Sequence, residues 1–172
     1  MTQLKQLIAQ RRSVRKFTNQ PVPSSLITEI VEAGRNAPSA CNRQPWRFYV
    51  LLSEEAKAQL QSCYPKPWFK TAQVYILCVG YPKEAWCFKD ARSTSVHIDA
   101  SIAVTYMMLR AEELGLSSTW VCNFDRLKYC SLKGWNIEEQ EPISVLALGW
   151  ADVDKSSLPH LRKDKDEVVV FL

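Results

Sequence analysis

The ten residues Ala37-Pro38-Ser39-Ala40-Cys41-Asn42-Arg43-Gln44-Pro45-Trp46 decide the fold prediction, because they join a predicted helix to a predicted strand and differ from a simple connector. Their prolines and small polar residues indicate a rigid turn with exposed backbone amides, which lets a flat ligand approach the main chain. Gln44 and Trp46 are expected to anchor the turn onto the strand that follows. An ordinary helix-to-strand turn with an aromatic plug is the alternative interpretation, so the stretch needs a second signal.

The second signal is the basic segment Arg11-Arg12-Ser13-Val14-Arg15-Lys16-Phe17. Side chains alternate along an extended segment, so Arg11, Ser13 and Arg15 are expected to point to one side. Two guanidinium groups with a hydroxyl between them suit a phosphate or a planar carbonyl system. A solvated basic loop is the alternative.

A third group of basic residues, Pro159-His160-Leu161-Arg162-Lys163, precedes the C-terminal segment. Arg162 and Lys163 are candidates to complete an anion site begun by Arg11 and Arg15. A solvated charged face is the default explanation for such a run.

The segment Trp120-Val121-Cys122-Asn123-Phe124 follows a predicted strand, so its amides are expected at a sheet end, where ligands of layered α/β proteins often sit. A nucleophilic role for Cys122 would need a His or Asp partner, which the sequence does not suggest, and a structural role is favoured. Asp99, near a helix start, is interpreted as structural and His97 is unassigned. Neither G-x-G-x-x-G nor a P-loop is present, so a nicotinamide would be a visiting substrate.

Apolar periodicity and breaker residues place helices and strands along the whole chain. The predicted helices cover a short stripe at 4–8 and then 24–37, 53–62, 95–114 and 126–133; the predicted strands are 48–52, 74–79, 118–122, 143–149 and 167–171. This mixture predicts an α+β fold with three α/β/α layers. A strand at the end of the chain must pair with a neighbouring strand. If it pairs with the sheet of a partner subunit, it would link the two subunits of a dimer.

Composition limits the function classes. The 172 residues suggest one domain, 1–172, and a net charge of +4 does not demand nucleic acid. The six cysteines form no C-x-x-C pair, so a zinc site is not expected. No signal-peptide h-region and no apolar run of membrane-spanning length occurs, which predicts no membrane association and a cytoplasmic protein with free thiols.

Together these residues resemble the nitroreductase superfamily of flavoproteins. The R-R-S-V-R-x-F start, the A-P-S-x-x-N-x-Q-P-W turn, Leu114-Gly115-Leu116 after the long helix, Gly149 after the fourth strand and H-x-R-K near the end occur in family order. The resemblance covers nearly the whole chain and is to the compact members. It implies a central mixed, mostly antiparallel sheet flanked by helices, with the C-terminal strand exchanged between subunits.

The resemblance also implies a homodimer with FMN in two interface sites. Arg11, Ser13 and Arg15 would hold the phosphate and the pyrimidine edge of the flavin, and Arg162 would also bind the phosphate. The Pro38–Asn42 turn would come from the other subunit. A backbone amide near Cys122 would approach flavin N5. The cofactor-binding residues implied in this way are Arg11, Arg12, Ser13, Arg15, Pro38, Ser39, Ala40, Asn42, Val121, Cys122, Asn123 and Arg162.

The implied activity is a ping-pong cycle in which NAD(P)H reduces FMN and a nitroaromatic or quinone-like molecule then accepts the electrons. No catalytic side chain is expected, since solvent can supply protons, and no metal is expected in the site. A flavin-binding sensor, a dehalogenase or flavin-fragmenting member of the superfamily, and a plain anion-binding module are the alternatives.

Three departures from the family pattern concern substrate preference more than flavin binding. Ser117-Ser118 and Asn123 replace frequent glycines, Gly149-Trp150-Ala151 replaces G-Y-P, and His160 stands where larger members often have lysine.

Overall fold

The computed structural model describes residues 3–89 and 93–172. Met1, Thr2 and 90–92, the last within the predicted loop before the long helix, lie outside the described residues. The helices are α1 Gln3–Gln10, α2 Ser24–Arg35, α3 Glu54–Cys63, α4 Val96–Glu113, α5 Arg126–Lys133 and α6 Lys165–Val168; the strands are β1 Trp46–Leu51, β2 Val74–Gly80, β3 Ser117–Val121 and β4 Glu141–Gly149. Within the described ranges, no helix combines the length and apolarity needed to cross a membrane.

The four strands form one sheet in the order β1-β2-β4-β3, and every neighbouring pair is antiparallel. A parallel pairing occurs at the isolated bridge between Ser13 and Ser118, beside β3. In the described part of the chain, this bridge supplies the parallel pairing that was expected of a mixed sheet, and the four strands themselves are antiparallel throughout.

Helices cover both faces of the sheet, which confirms the three-layer prediction. Ile76 and Cys78 of β2 pack into an apolar cluster with residues of α2 and α4. Tyr75 and Leu77, which alternate with them, pack into a second cluster with residues of α3 and α5. Because β2 is buried on both faces, it is a continuous apolar run rather than an alternating one.

Local signals explain where α5 begins and where α4 ends. The Asp125 carboxylate accepts a 2.9 Å hydrogen bond from the Lys128 amide and caps α5. Gly115 follows α4 with a φ of 78°, a conformation that glycine adopts without steric cost, and thereby ends the helix. Gly34 in α2 lets α4 approach closely, because a Cβ atom there would lie 2.1 Å from the Met107 methyl group.

The prediction of a strand over 167–171 is wrong for the isolated chain. Lys165–Val168 form one helical turn, closed by a capping box between Asp164 and Glu167. Residues 169–172 follow without a ladder partner, and Phe171 is 84% exposed. A β-branched run needs a neighbouring strand before it forms a strand itself, and within one chain the local cap prevails.

Candidate functional site

The basic N-terminal segment lies alongside β3. The Val14 amide donates a 3.2 Å hydrogen bond to the Ser118 carbonyl, and the Thr119 hydroxyl donates to the Val14 carbonyl. Val14 and Phe17 are buried. Because the segment is extended here, the neighbouring residues Ser13 and Arg15 are exposed.

Three arginines of this segment and one from the C-terminal region share a cavity of about 270 Å³. The structure thus brings Arg162 into one cavity with Arg11 and Arg15, and their predicted role as an anion site stays a prediction. Lys163, predicted beside it, does not line the cavity, and His160 does. The lining residues are Arg11, Arg12, Ser13, Arg15, Leu158, Pro159, His160 and Arg162.

The cavity carries uncompensated positive charge. No ion pair formed by the described residues includes any of its four arginines. Burial lowers the pKa of Arg11, and Arg162 and Arg12 add to that effect while Glu112 opposes it. Glu112 itself is buried and forms a 2.6 Å ion pair with Lys155. A phosphate, with two negative charges and several acceptor oxygens, suits such a cluster.

An aromatic contact orients one of the cavity arginines. The Arg15 guanidinium carbon lies 5.9 Å from the centre of the Trp68 ring, within the range of a cation–π interaction. Trp68 in turn packs edge-on against Tyr64 and against the buried Phe69, at 6.0 and 5.5 Å between ring centres. Sequence reasoning missed this contact, because Arg15 and Trp68 lie more than fifty residues apart and no periodic pattern links them.

The turn after α2 adopts an unusual backbone. Cys41, Asn42 and Gln44 all have φ near +50°, a conformation that costs a non-glycine residue about 1–3 kcal/mol. Trp46 is buried at the start of β1, as predicted. The exposed Gln44 side chain, by contrast, bonds back to Asn42 within the turn and not onto the strand. Such local strain is typical of functional segments held by their surroundings.

Asp99, predicted to be structural, holds this turn against α4. Its buried carboxylate accepts hydrogen bonds from the Ala40 amide at 2.9 Å and from the Ser95 hydroxyl at 2.7 Å. The start of the long helix and the strained turn are therefore one unit.

We expect Asp99→Ala to lower the free energy of unfolding by about 3 kcal/mol, because it removes two hydrogen bonds to a charged group. Asp99→Asn keeps an acceptor oxygen for the Ala40 amide and should cost about 1 kcal/mol. Urea unfolding at one fixed protein concentration measures both. Equal losses for the two variants would contradict this role of the carboxylate.

The other predicted cofactor-binding residues lie outside the cavity in a single chain. Pro38, Ser39, Ala40 and Asn42 belong to the turn, while Cys122 and Asn123 are exposed beyond the buried Val121 at the end of β3. Their role in binding a cofactor stays a prediction.

The geometry also bears on the reactivity of Cys122. Desolvation raises the pKa of its thiol, and the positive charge of Arg126 offsets only part of that increase. A protonated thiol is a poor nucleophile, which agrees with the structural interpretation.

Known proteins match this chain in sequence. The nitroreductase family profile matches residues 8–64 and 61–150. A protein named NADH dehydrogenase from Thermus thermophilus is 44% identical, with 94% of this chain and 92% of that protein covered. Three other curated relatives, from Bacillus subtilis, Haliscomenobacter hydrossis and Comamonas testosteroni, match over less than a third of their own length.

Solved structures share the fold over the full chain. A nitroreductase family protein from Clostridium difficile has a TM-score of 0.87 at 27% identity, covering 99% of this chain and 98% of that one. A candidate nitroreductase from Exiguobacterium sibiricum, solved in complex with FMN, has a TM-score of 0.85 at 22% identity, covering 100% and 98%. With the basic segment, the strained turn and the three-layer sheet all in place, the chain belongs to the nitroreductase family.

Proposed function

We propose that this chain is an FMN-dependent NAD(P)H oxidoreductase that reduces small electron-poor molecules. The observation that carries the proposal is the cluster of four guanidinium groups in one cavity, none of which forms an ion pair with another residue that the structure describes. A phosphate-bearing cofactor fits this donor set, since each guanidinium offers several hydrogen-bond donors and, in the described part of the chain, no carboxylate lines the cavity. The FMN bound by the Exiguobacterium sibiricum protein supports the choice of cofactor.

The cavity residues would divide the binding of FMN between its two ends. Arg11, Arg12 and Arg162 would hold the phosphate with the Ser13 hydroxyl. Arg15, oriented by Trp68, would place positive charge at the pyrimidine edge of the ring, which favours the reduced cofactor. When bound, FMN supplies the hydride chemistry, and the protein positions it and tunes its electronics.

The second half of the site would come from a second copy of the chain. The outer face of α4, together with α1, presents apolar residues to solvent: Ile98 is 54% exposed, Leu4 57% and Ile8 56%. Exposed apolar surface of this kind, bordered by grooves of about 510 and 650 Å³, is typical of an interface. Asp99 ties the start of α4 to the Pro38–Asn42 turn, so docking through α4 would carry the turn towards the partner's cofactor.

The C-terminal tail, Val168–Leu172, would complete the dimer by pairing with β1 of the partner. β1 is an edge strand of the sheet, and apolar clefts of about 390 and 300 Å³ lie beside it. The side chains of an added strand alternate between the two faces of a sheet, so a tail of successive apolar residues suits clefts on both sides. Strand exchange between subunits is thus part of the proposal.

The proposed substrates are NAD(P)H and a nitroaromatic or quinone-like acceptor, both stacking on the exposed ring in turn. We also propose a single domain over 1–172 and a cytoplasmic location, where the free cysteines stay reduced.

The test is spectroscopic. Purified protein is mixed with FMN, freed of unbound flavin, reduced anaerobically with NADH or NADPH, and then exposed to a nitroaromatic or a quinone. We expect one FMN per chain, bleaching by at least one nicotinamide, and recovery of the oxidised spectrum with the acceptor. Bound FMN that no nicotinamide bleaches would favour a sensor, and turnover restricted to halogenated compounds would favour a dehalogenase. Protein that gains no flavin absorbance would contradict the proposal.

A further inference from the structure

A short 3₁₀ turn, Pro67–Thr71, lies against the basic N-terminal segment, beside the arginine cavity. The Phe17 amide donates a 3.2 Å hydrogen bond to the Thr71 hydroxyl, which fixes the end of the turn. At its start, the Trp68 ring lies under the Arg15 guanidinium, which lines the cavity. The Pro67–Thr71 turn is therefore a fixed part of the cavity rim.

Two lysines flank the buried centre of this turn. Lys66 and Lys70 are exposed, whereas Phe69 between them is buried and holds the turn on the protein. Within residues 3–89 and 93–172, neither lysine takes part in an ion pair. A 3₁₀ turn advances only about 2 Å per residue, so two flexible lysine side chains at these positions can reach one phosphate group.

The chain around the turn supplies no negative charge. No aspartate or glutamate occurs between Glu55 and Glu84. The other two lysines of that stretch, Lys57 and Lys83, are each held in an ion pair, at 3.0 and 2.7 Å. The rim beside Arg15 therefore presents two ammonium groups towards solvent, and their own segment contains no carboxylate to neutralise them.

The proposed function brings a second anion to this rim. The cofactor phosphate would use the arginines inside the cavity, and a nicotinamide nucleotide that reaches the flavin would carry further phosphates past the rim. NADPH differs from NADH by a phosphate on the 2′-hydroxyl of its adenosine, which adds about two negative charges. We propose that Lys66 and Lys70 bind this 2′-phosphate and make NADPH the preferred electron donor. The inference rests on the proposed function and deepens it by naming the donor.

The first test is anaerobic reduction of the bound FMN at several donor concentrations. The wild type should bind NADPH at least about tenfold more tightly than NADH, at the scale of one or two charge-assisted hydrogen bonds at an exposed site. Replacing Lys66 and Lys70 together by glutamine should raise the Kd for NADPH about 10- to 100-fold and that for NADH less than about threefold. The limiting rate of reduction should stay within about twofold, because the lysines hold the nucleotide far from the transferred hydride.

A matched control removes the same charge from lysines that are already paired. Lys57→Gln combined with Lys83→Gln should leave the Kd of both donors within about twofold of wild type. Lys66→Arg combined with Lys70→Arg keeps the positive charge and should retain the preference for NADPH.

The second test measures binding without turnover. The full-length protein is loaded with FMN, so that the arginine cavity is filled, and is titrated calorimetrically with 2′,5′-ADP, which carries the 2′-phosphate but no nicotinamide. The glutamine variant of Lys66 and Lys70 should bind 2′,5′-ADP about 10- to 100-fold more weakly than the wild type does. Adenosine 5′-phosphate, which lacks the 2′-phosphate, should bind both proteins with equal, low affinity.

The outcomes separate the two proposals. Equal affinity of the wild type for NADPH and NADH, or an equal loss for both donors in the glutamine variant, would overturn donor selection by the lysines and leave the proposed function standing. Binding of 2′,5′-ADP that the substitutions do not change would do the same. A wild-type protein that binds no FMN, or whose bound FMN neither donor reduces, would overturn both.

Discussion

Replacing Arg11 and Arg162 together by glutamine should weaken FMN binding by roughly 10²- to 10⁴-fold. Each side chain would contribute charge-assisted hydrogen bonds to the phosphate, and losing two of them costs about 3–6 kcal/mol. The two residues come from opposite ends of the chain and meet in one cavity, so no single segment can compensate. Fluorescence quenching of FMN on titration with the flavin-free variant measures the change.

Lys163→Gln is the matched control, since Lys163 adjoins Arg162 in sequence, is exposed and lies outside the cavity. It removes one positive charge and should change the affinity for FMN less than about threefold, as expected for a solvated charge. If the control weakened binding as much as the arginine substitutions do, general electrostatic attraction and not a built phosphate site would explain the result.

Removing the tail Val168–Leu172 should raise the dimer dissociation constant by at least about a hundredfold. Burial of each large apolar side chain contributes about 1.5–3 kcal/mol, and ordering the segment offsets much of this, which leaves a net of about 1.5 kcal/mol per tail and twice that per dimer. FMN should be lost in parallel, because each site is proposed to need the partner's turn. Sedimentation at several protein concentrations follows the dissociation.

Two point variants refine the result of the truncation. Phe171→Ala should reproduce part of the loss, whereas Phe171→Leu, which keeps an apolar side chain, should stay within about threefold of wild type. A truncated chain that dimerises as tightly as the full chain would exclude strand exchange and leave the α1–α4 face as the interface.

The elements of the fold followed from local signals. Asp125 marks the start of α5 to within a residue, Gly115 marks the end of α4, and the apolar run of β2 marks a strand covered on both faces. Such features act over a few residues and can therefore be recognised in the sequence. The C-terminal tail was predicted as a strand because its residues favour one, yet a strand forms only against a partner, and the capping box at Asp164 directs the single chain into a helical turn.

Only part of the candidate site could be predicted from the sequence. Alternation along an extended segment correctly grouped Arg11 with Arg15, and the shared charge of Arg162 suggested its place. The contact of Trp68 with Arg15 spans more than fifty residues of sequence and has no periodic signature. The presence of His160 in the cavity, and the absence of Lys163, depend on the path of an irregular segment, which composition does not encode.

The most direct test of the account is subunit complementation. One chain carries the Arg11→Gln and Arg162→Gln substitutions, and the other carries Asn42→Trp, which places a bulky ring in the turn; each homodimer should bind little FMN. In a heterodimer purified through two different tags, the site made from unaltered arginines of one chain and the unaltered turn of the other is intact. We predict one FMN per heterodimer. A heterodimer without FMN would mean that each chain builds its site alone, and would contradict a cofactor held between two subunits.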